Sequence, residues 1–219
     1  MATNAPPTLR TPMMLLAAAS LGVLGVHLWP WQEITNLPGN GTVAFDPALC
    51  LLAYVASAWW ITSGITEPTQ KALSAGAMAG LLAGVVLVAD VLLGIRQDSQ
   101  PAFLQPTLLG VAAILWGVAG LRGSRIAGSS AMGALSGLWA AMVSSLMAGA
   151  AVVVELYIAA PVHNSTDPWR QYESLAIGNT MTQGLVHSLN MATAFLLLGP
   201  ITGAAAGLIF AFFAHEQKN

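Results

Sequence analysis

Two acids stand where acids are costly. Asp90 lies in the apolar run Leu81–Ile95 and Glu155 in the apolar run Leu146–Ala160. A charge at the centre of a bilayer costs at least ~2.5–3.5 kcal/mol on the insertion scale, so an intramembrane acid marks a functional site by default. His187 and Asn190 stand about one turn apart on one helix face and add an imidazole and an amide. Two carboxylates and an imidazole can bind a cation, share a proton or hold a metal. Acids held close together cannot both stay ionised easily, which is the property a proton-coupled carrier exploits.

The competing reading is structural. Asp90 is about five residues, or ~7–8 Å of helix rise, from the end of its run, and Glu155 about three residues from its own. Either acid can snorkel toward headgroups, and Arg96 is within reach of Asp90. Metal chemistry has thinner support. There is no His-x-x-x-His, no Glu-x-x-His and no cysteine pair, since Cys50 stands alone. His27 and His187 are candidate metal or haem ligands only as two lone histidines. Hydrolase elbows, Walker loops and dinucleotide fingerprints are also missing, so a catalytic role is not expected and no cofactor is.

The elements that must carry these groups follow from composition. Of 219 residues only 7% are charged and 56% are hydrophobic, and the mean hydropathy is +0.70. Soluble domains carry roughly 25% charge, and so sparse a set cannot cover a globule in water. Seven scattered Lys and Arg at a net charge of −2 exclude a nucleic-acid partner. The expected surroundings are a lipid bilayer, with a bacterial inner membrane as the expected location.

A spanning helix needs about 20 mainly apolar residues. Six stretches qualify, at about 12–29, 47–65, 72–95, 104–121, 130–158 and 184–213. The fold class expected is therefore all-α, a six-transmembrane-helix bundle forming a single polytopic domain over 1–219. Arg10, Lys71, Arg122, Arg125 and Lys218 fall on one side and Arg96 and Arg170 on the other. The positive-inside rule then puts both termini in the cytoplasm and both acids in the outer leaflet. The first run is read as a retained anchor, because His27-Leu28-Trp29-Pro30-Trp31 offers no small-residue cleavage site. The seven tryptophans are expected mainly at the membrane interfaces.

The two acid-bearing runs also align with each other. Leu81, Ala83-Gly84, Val88 and Asp90 match Leu146, Ala148-Gly149, Val153 and Glu155. This suggests a tandem duplication of the hairpins 47–95 and 104–158. Small residues recur at every fourth position as Gly76, Gly80 and Gly84, as Gly133, Gly137, Ala141, Ser145 and Gly149, and as Gly199, Gly203 and Gly207. Such ridges let helices approach closely where lipid gives no hydrophobic drive, within one chain, in self-association or against other membrane subunits. Pro200 should disturb the last span near mid-membrane. The most polar stretch, His163 to Glu173, is expected as an outer loop.

Three functions fit these residues. One is a transporter or channel with an outer-leaflet proton or cation site on Asp90, Glu155, His187 and Asn190. The second is a non-catalytic subunit or scaffold of a membrane complex. The third is a haem- or metal-binding membrane protein using His27 and His187.

Overall fold

A computed structural model describes residues 14–15, 17–20, 22, 45–63, 65–94, 103–163 and 180–216; for 45–46, 94, 155–163, 180–187 and 214–216 it describes the backbone alone. Among the described residues the chain is helical, with no strand. Residues of the first predicted span form part of a helix near 14–22. Among the described residues five further helices follow: α1 (Phe45–Thr62), α2 (Glu67–Gly94), α3 (Leu104–Ala127), α4 (Ser130–His163) and α5 (Thr180–Glu216).

Four of them are long and apolar enough to cross a membrane, over Glu67–Leu93, Leu104–Ala127, Ser130–Val154 and Ser188–Phe213. These 24–27-residue stretches rise about 36–40 Å, enough for a ~30 Å hydrocarbon core with some tilt. The apolar stretch Pro47–Thr62 of α1 is shorter than that requirement. Inside lipid, every backbone N–H and C=O must be bonded within the segment, which leaves a helix as the form these apolar runs can take.

Their starts and stops are local chemistry. Pro47, Pro68 and Pro106 each stand in the first turn of a helix, where a missing N–H costs nothing. Thr66 accepts the Gln70 N–H at 2.9 Å, and Phe103 accepts that of Thr107 at 3.1 Å. Glu67 pairs with Lys71 at 2.7 Å across one exposed turn. α3 ends at Gly128, whose φ of 69° is left-handed backbone that a side chain disfavours, and its N–H returns to Ser124 O at 2.7 Å. This tight turn folds α4 back beside α3.

α4 is the centre of the bundle, mostly buried over Ser130–Val154 and packed on α2, α3 and α5. α3 also packs on α2 and α5, whereas the helix nearest α1 is α5. One core cluster joins α1 to α4 and α5 through Leu51, Tyr54, Trp139, Leu146 and Leu196. Another joins α2, α3 and α4 through Ala83, Leu87, Ala112, Trp116 and Ala148.

The tryptophans divide. Trp59 and Trp60 are exposed, as belt residues would be. Trp116 and Trp139 are instead inside the bundle, at 7% and 1% exposure. The Trp116 indole donates to Ser144 Oγ at 3.0 Å, so its polar edge is satisfied by a neighbouring helix rather than by headgroups.

Most of the described glycines stand at the helix crossings. A Cβ on Gly76 would meet Ser136 O at 2.7 Å, one on Gly80 would overlap the Ala140 backbone, and one on Gly84 the Met147 side chain. Gly133 faces Ala211, Gly137 faces Gly203 and Gly207, and Gly199 faces Ser145. Spacing by fours misses a further set, Gly117, Gly120 and Gly123, which repeat by threes on α3. Gly120 lies against the Gly207 backbone, Gly117 against the Phe210 ring and Gly123 against Ser136. Gly149 differs: its nearest neighbours, Leu196 Cγ and Ala192 Cβ, are 3.8 and 3.9 Å from a Cβ placed there, which is ordinary contact.

Candidate functional site in the membrane bundle

The register of the packed helices sets the depth of each candidate. α2 and α4 run parallel, with Gly76 beside Ser136, Gly80 beside Ala140 and Gly84 beside Met147. Continued for two turns, that register puts Asp90 level with residues 150–153, within about one turn of Glu155. α4 and α5 run antiparallel, with Gly133 beside Ala211, Gly137 beside Gly203 and Gly207, and Ser145 beside Gly199. The same continuation sets His187 level with residues 155–157.

Face matters as much as depth. Asp90 follows Ala83 and Leu87 on α2 at seven and three residues, so it extends the face that enters the cluster with α3. Its side chain is buried, at 9% exposure. Among the described residues no ion pair or hydrogen bond reaches its carboxylate. Glu155 follows Ala148 at seven residues, and Ala148 belongs to the same cluster. Asp90 therefore stands on the face of α2 that meets α3.

Glu155 and His187 are described by backbone alone, and His27 and the polar loop from Asn164 to Glu173 lie outside the described residues, as does Arg96. Asn190 is exposed, while its neighbours Ser188 and Leu189 are buried. Among the described residues no three His, Cys, Asp or Glu side chains gather as a metal site would need.

The opposite end of the bundle, where Arg122 and Arg125 stand, is chemically quiet among the described residues. Its buried hydroxyls are engaged by backbone: Ser124 donates to Leu121 O at 2.9 Å and Ser136 to Ala72 O at 3.0 Å. There the crossings are glycine against glycine, at Gly120, Gly137, Gly203 and Gly207. Toward the Asp90 end the packing relaxes at Gly149, where a shallow apolar recess lies among Pro47, Leu51, Ala150, Val153 and Ala192.

Three interhelical hydrogen bonds escaped the reading of ionisable groups. They run from Tyr54 to Leu196 O at 2.9 Å, from Trp116 to Ser144, and from Ser136 to Ala72 O. Only hydroxyls or an indole in the middle of apolar runs announce them in the sequence, as polar glue between helices. The chain matches no protein-family model, no curated protein and no solved structure.

Proposed function

We propose that this integral membrane protein is a small carrier or channel whose outer-leaflet site, built on Asp90 and Glu155 with His187 beside them, takes a proton or a small cation. The observation that carries this reading is the buried Asp90 carboxylate, which extends an apolar helix face with no cationic partner among the described residues. An acid in that place either holds a proton or awaits a cation, because an uncompensated buried charge is costly. Equivalent depth on adjoining helices supports Glu155 and His187 as partners, and Asn190, exposed one turn on, supplies the rim.

Three experiments test it. With Cys50→Ala as background, cysteines replacing Asp90 and Glu155 should crosslink or bridge a soft metal ion, while a pair at Asp90 and Leu138 should not. No linkage under conditions that join Gly84→Cys to Met147→Cys removes the shared site. A C-terminal reporter placed after Asn219 should give a cytoplasmic signal; an external signal moves both acids to the inner leaflet. The functional readout is dissipation of an imposed proton or monovalent-cation gradient by the purified protein in vesicles.

A second reading has its own support. The engaged hydroxyls and glycine crossings at the Arg122 end offer no polar exit. A static scaffold subunit fits that end of the bundle, and vesicles that hold every imposed gradient would favour it.

A further inference from the structure

A proline in mid-helix leaves a carbonyl behind. Pro200 has no N–H to return to Leu196 O four residues earlier, and its ring pushes that carbonyl outward. The spanning stretch Ser188–Phe213 places this break near the centre of the membrane, where the freed carbonyl needs a donor from within the bundle. The structure shows what repairs it: the buried Tyr54 hydroxyl of α1 donates to Leu196 O at 2.9 Å. One turn further along, Thr202 Oγ1 bonds back to Leu198 O at 2.8 Å and Gly199 O at 2.9 Å, a pattern that itself bends helices.

A second donor waits at the same turn. Ser145 of α4 is fully buried, stands against Gly199 and neighbours the Tyr54 hydroxyl. Among the described residues no hydrogen bond of good geometry satisfies its Oγ. The Tyr54 hydroxyl thus serves the freed carbonyl, and the Ser145 hydroxyl stands beside both Tyr54 and Gly199.

We infer that the Pro200 turn is a hinge in α5 with two hydrogen-bonded settings. In one, Tyr54 of α1 holds the Leu196 carbonyl; in the other, Ser145 of α4 takes it and α1 lets go. The half of α5 before the hinge, which carries His187 and Asn190, swings between them, while the half after it stays clamped by the Gly203 and Gly207 crossings. An arm from Pro200 to Met191 is about 14 Å long, so a change of ~20° in the bend moves Met191 by about 5 Å. The hinge stands on the proline, the tyrosine and the serine, and it holds whether or not the acids bind a cation.

Spin labels read it directly. With Cys50→Ala as background, one label pair at Val85→Cys and Met191→Cys spans the moving half. A second pair at Met78→Cys and Ile209→Cys spans the clamped half. All four positions are exposed. Tyr54→Phe should shift the Val85–Met191 distance distribution by about 5 Å and leave the Met78–Ile209 distribution in place. Ser145→Ala should sharpen the wild-type distribution, because the competing donor is gone. Pro200→Ala restores the N–H, and Tyr54→Phe should then change nothing. The hinge is refuted if Tyr54→Phe leaves the Val85–Met191 distribution superimposed on wild type, or shifts it equally with and without Pro200. Should Tyr54→Phe fail to assemble, Pro200→Ala alone decides: a narrowed distribution supports the hinge, and one unchanged from wild type overturns it.

Discussion

Gly120→Ala should melt the bundle well below the wild-type temperature, although alanine is the better helix former. Alanine gains about 1 kcal/mol in intrinsic propensity over glycine. Against this, a Cβ at position 120 falls within 2.6 Å of the Gly207 carbonyl carbon and nearer still to its Cα and oxygen. Those atoms are backbone and cannot rotate away, so α3 and α5 must separate. Overpacking of this kind typically costs about 1–3 kcal/mol and occasionally more. Separation here also loosens α4, because Gly137 packs on the same Gly207. A net loss of ~2 kcal/mol or more is expected for Gly120→Ala, and loss of assembly for Gly120→Leu.

The control is Gly110 on the same helix, where nothing lies within 4 Å of an added Cβ. Gly110→Ala should be neutral or stabilising by up to ~1 kcal/mol. Thermal unfolding in detergent, followed by circular dichroism, separates the two. Gly207→Ala should destabilise as well, through a second crossing, since its Cβ would meet Gly133 O at 2.6 Å and Gly137 Cα at 3.0 Å on α4. Equal melting of Gly120→Ala and Gly110→Ala would mean that the crossing tolerates a wider spacing.

The legible part of this fold was its apolar runs. Runs bounded by Pro47, Pro68, Pro106 and Gly128 became helices because proline in a first turn and glycine after a last turn are local chemistry. Helix ends were less legible. α2 begins at Glu67 rather than near 72, since polar Thr69, Gln70 and Lys71 extend a helix in water as well as apolar residues do in lipid. Packing partners were legible only in part. Spacing by fours marks Gly76, Gly80 and Gly84, but the α3 face is marked by threes, and nothing in one sequence says that Gly120 meets Gly207. Trp116 shows the same limit: an indole in an apolar run looks like a belt residue until Ser144 is found opposite it. The acids could be named from the sequence because charge in an apolar run is rare, yet their face and depth needed the register of α4 against α2 and α5.

Asp90→Asn should separate the stability of this protein from its function. Asparagine keeps the volume and removes the charge. If Asp90 is an unpaired functional acid, the substitution relieves a cost of the order of ~2 kcal/mol and thermal stability holds or rises. A gain of 1 kcal/mol corresponds to roughly 2–4 °C for a chain of this size. Proton or cation flux in vesicles should meanwhile fall at least tenfold, and Glu155→Gln should follow the same pattern if both acids serve one site. The opposite sign has a definite meaning. Breaking a buried ion pair costs about 3–5 kcal/mol, so a sharp fall in stability with Asp90→Asn would make Asp90 a structural partner, with Arg96 as the cation within sequence reach. Unchanged stability together with unchanged flux would place the carboxylate among headgroups and leave the bundle as a scaffold. The sign of the stability change therefore separates site from pair before any substrate is known, because a carrier must keep an acid that its own packing would rather exclude.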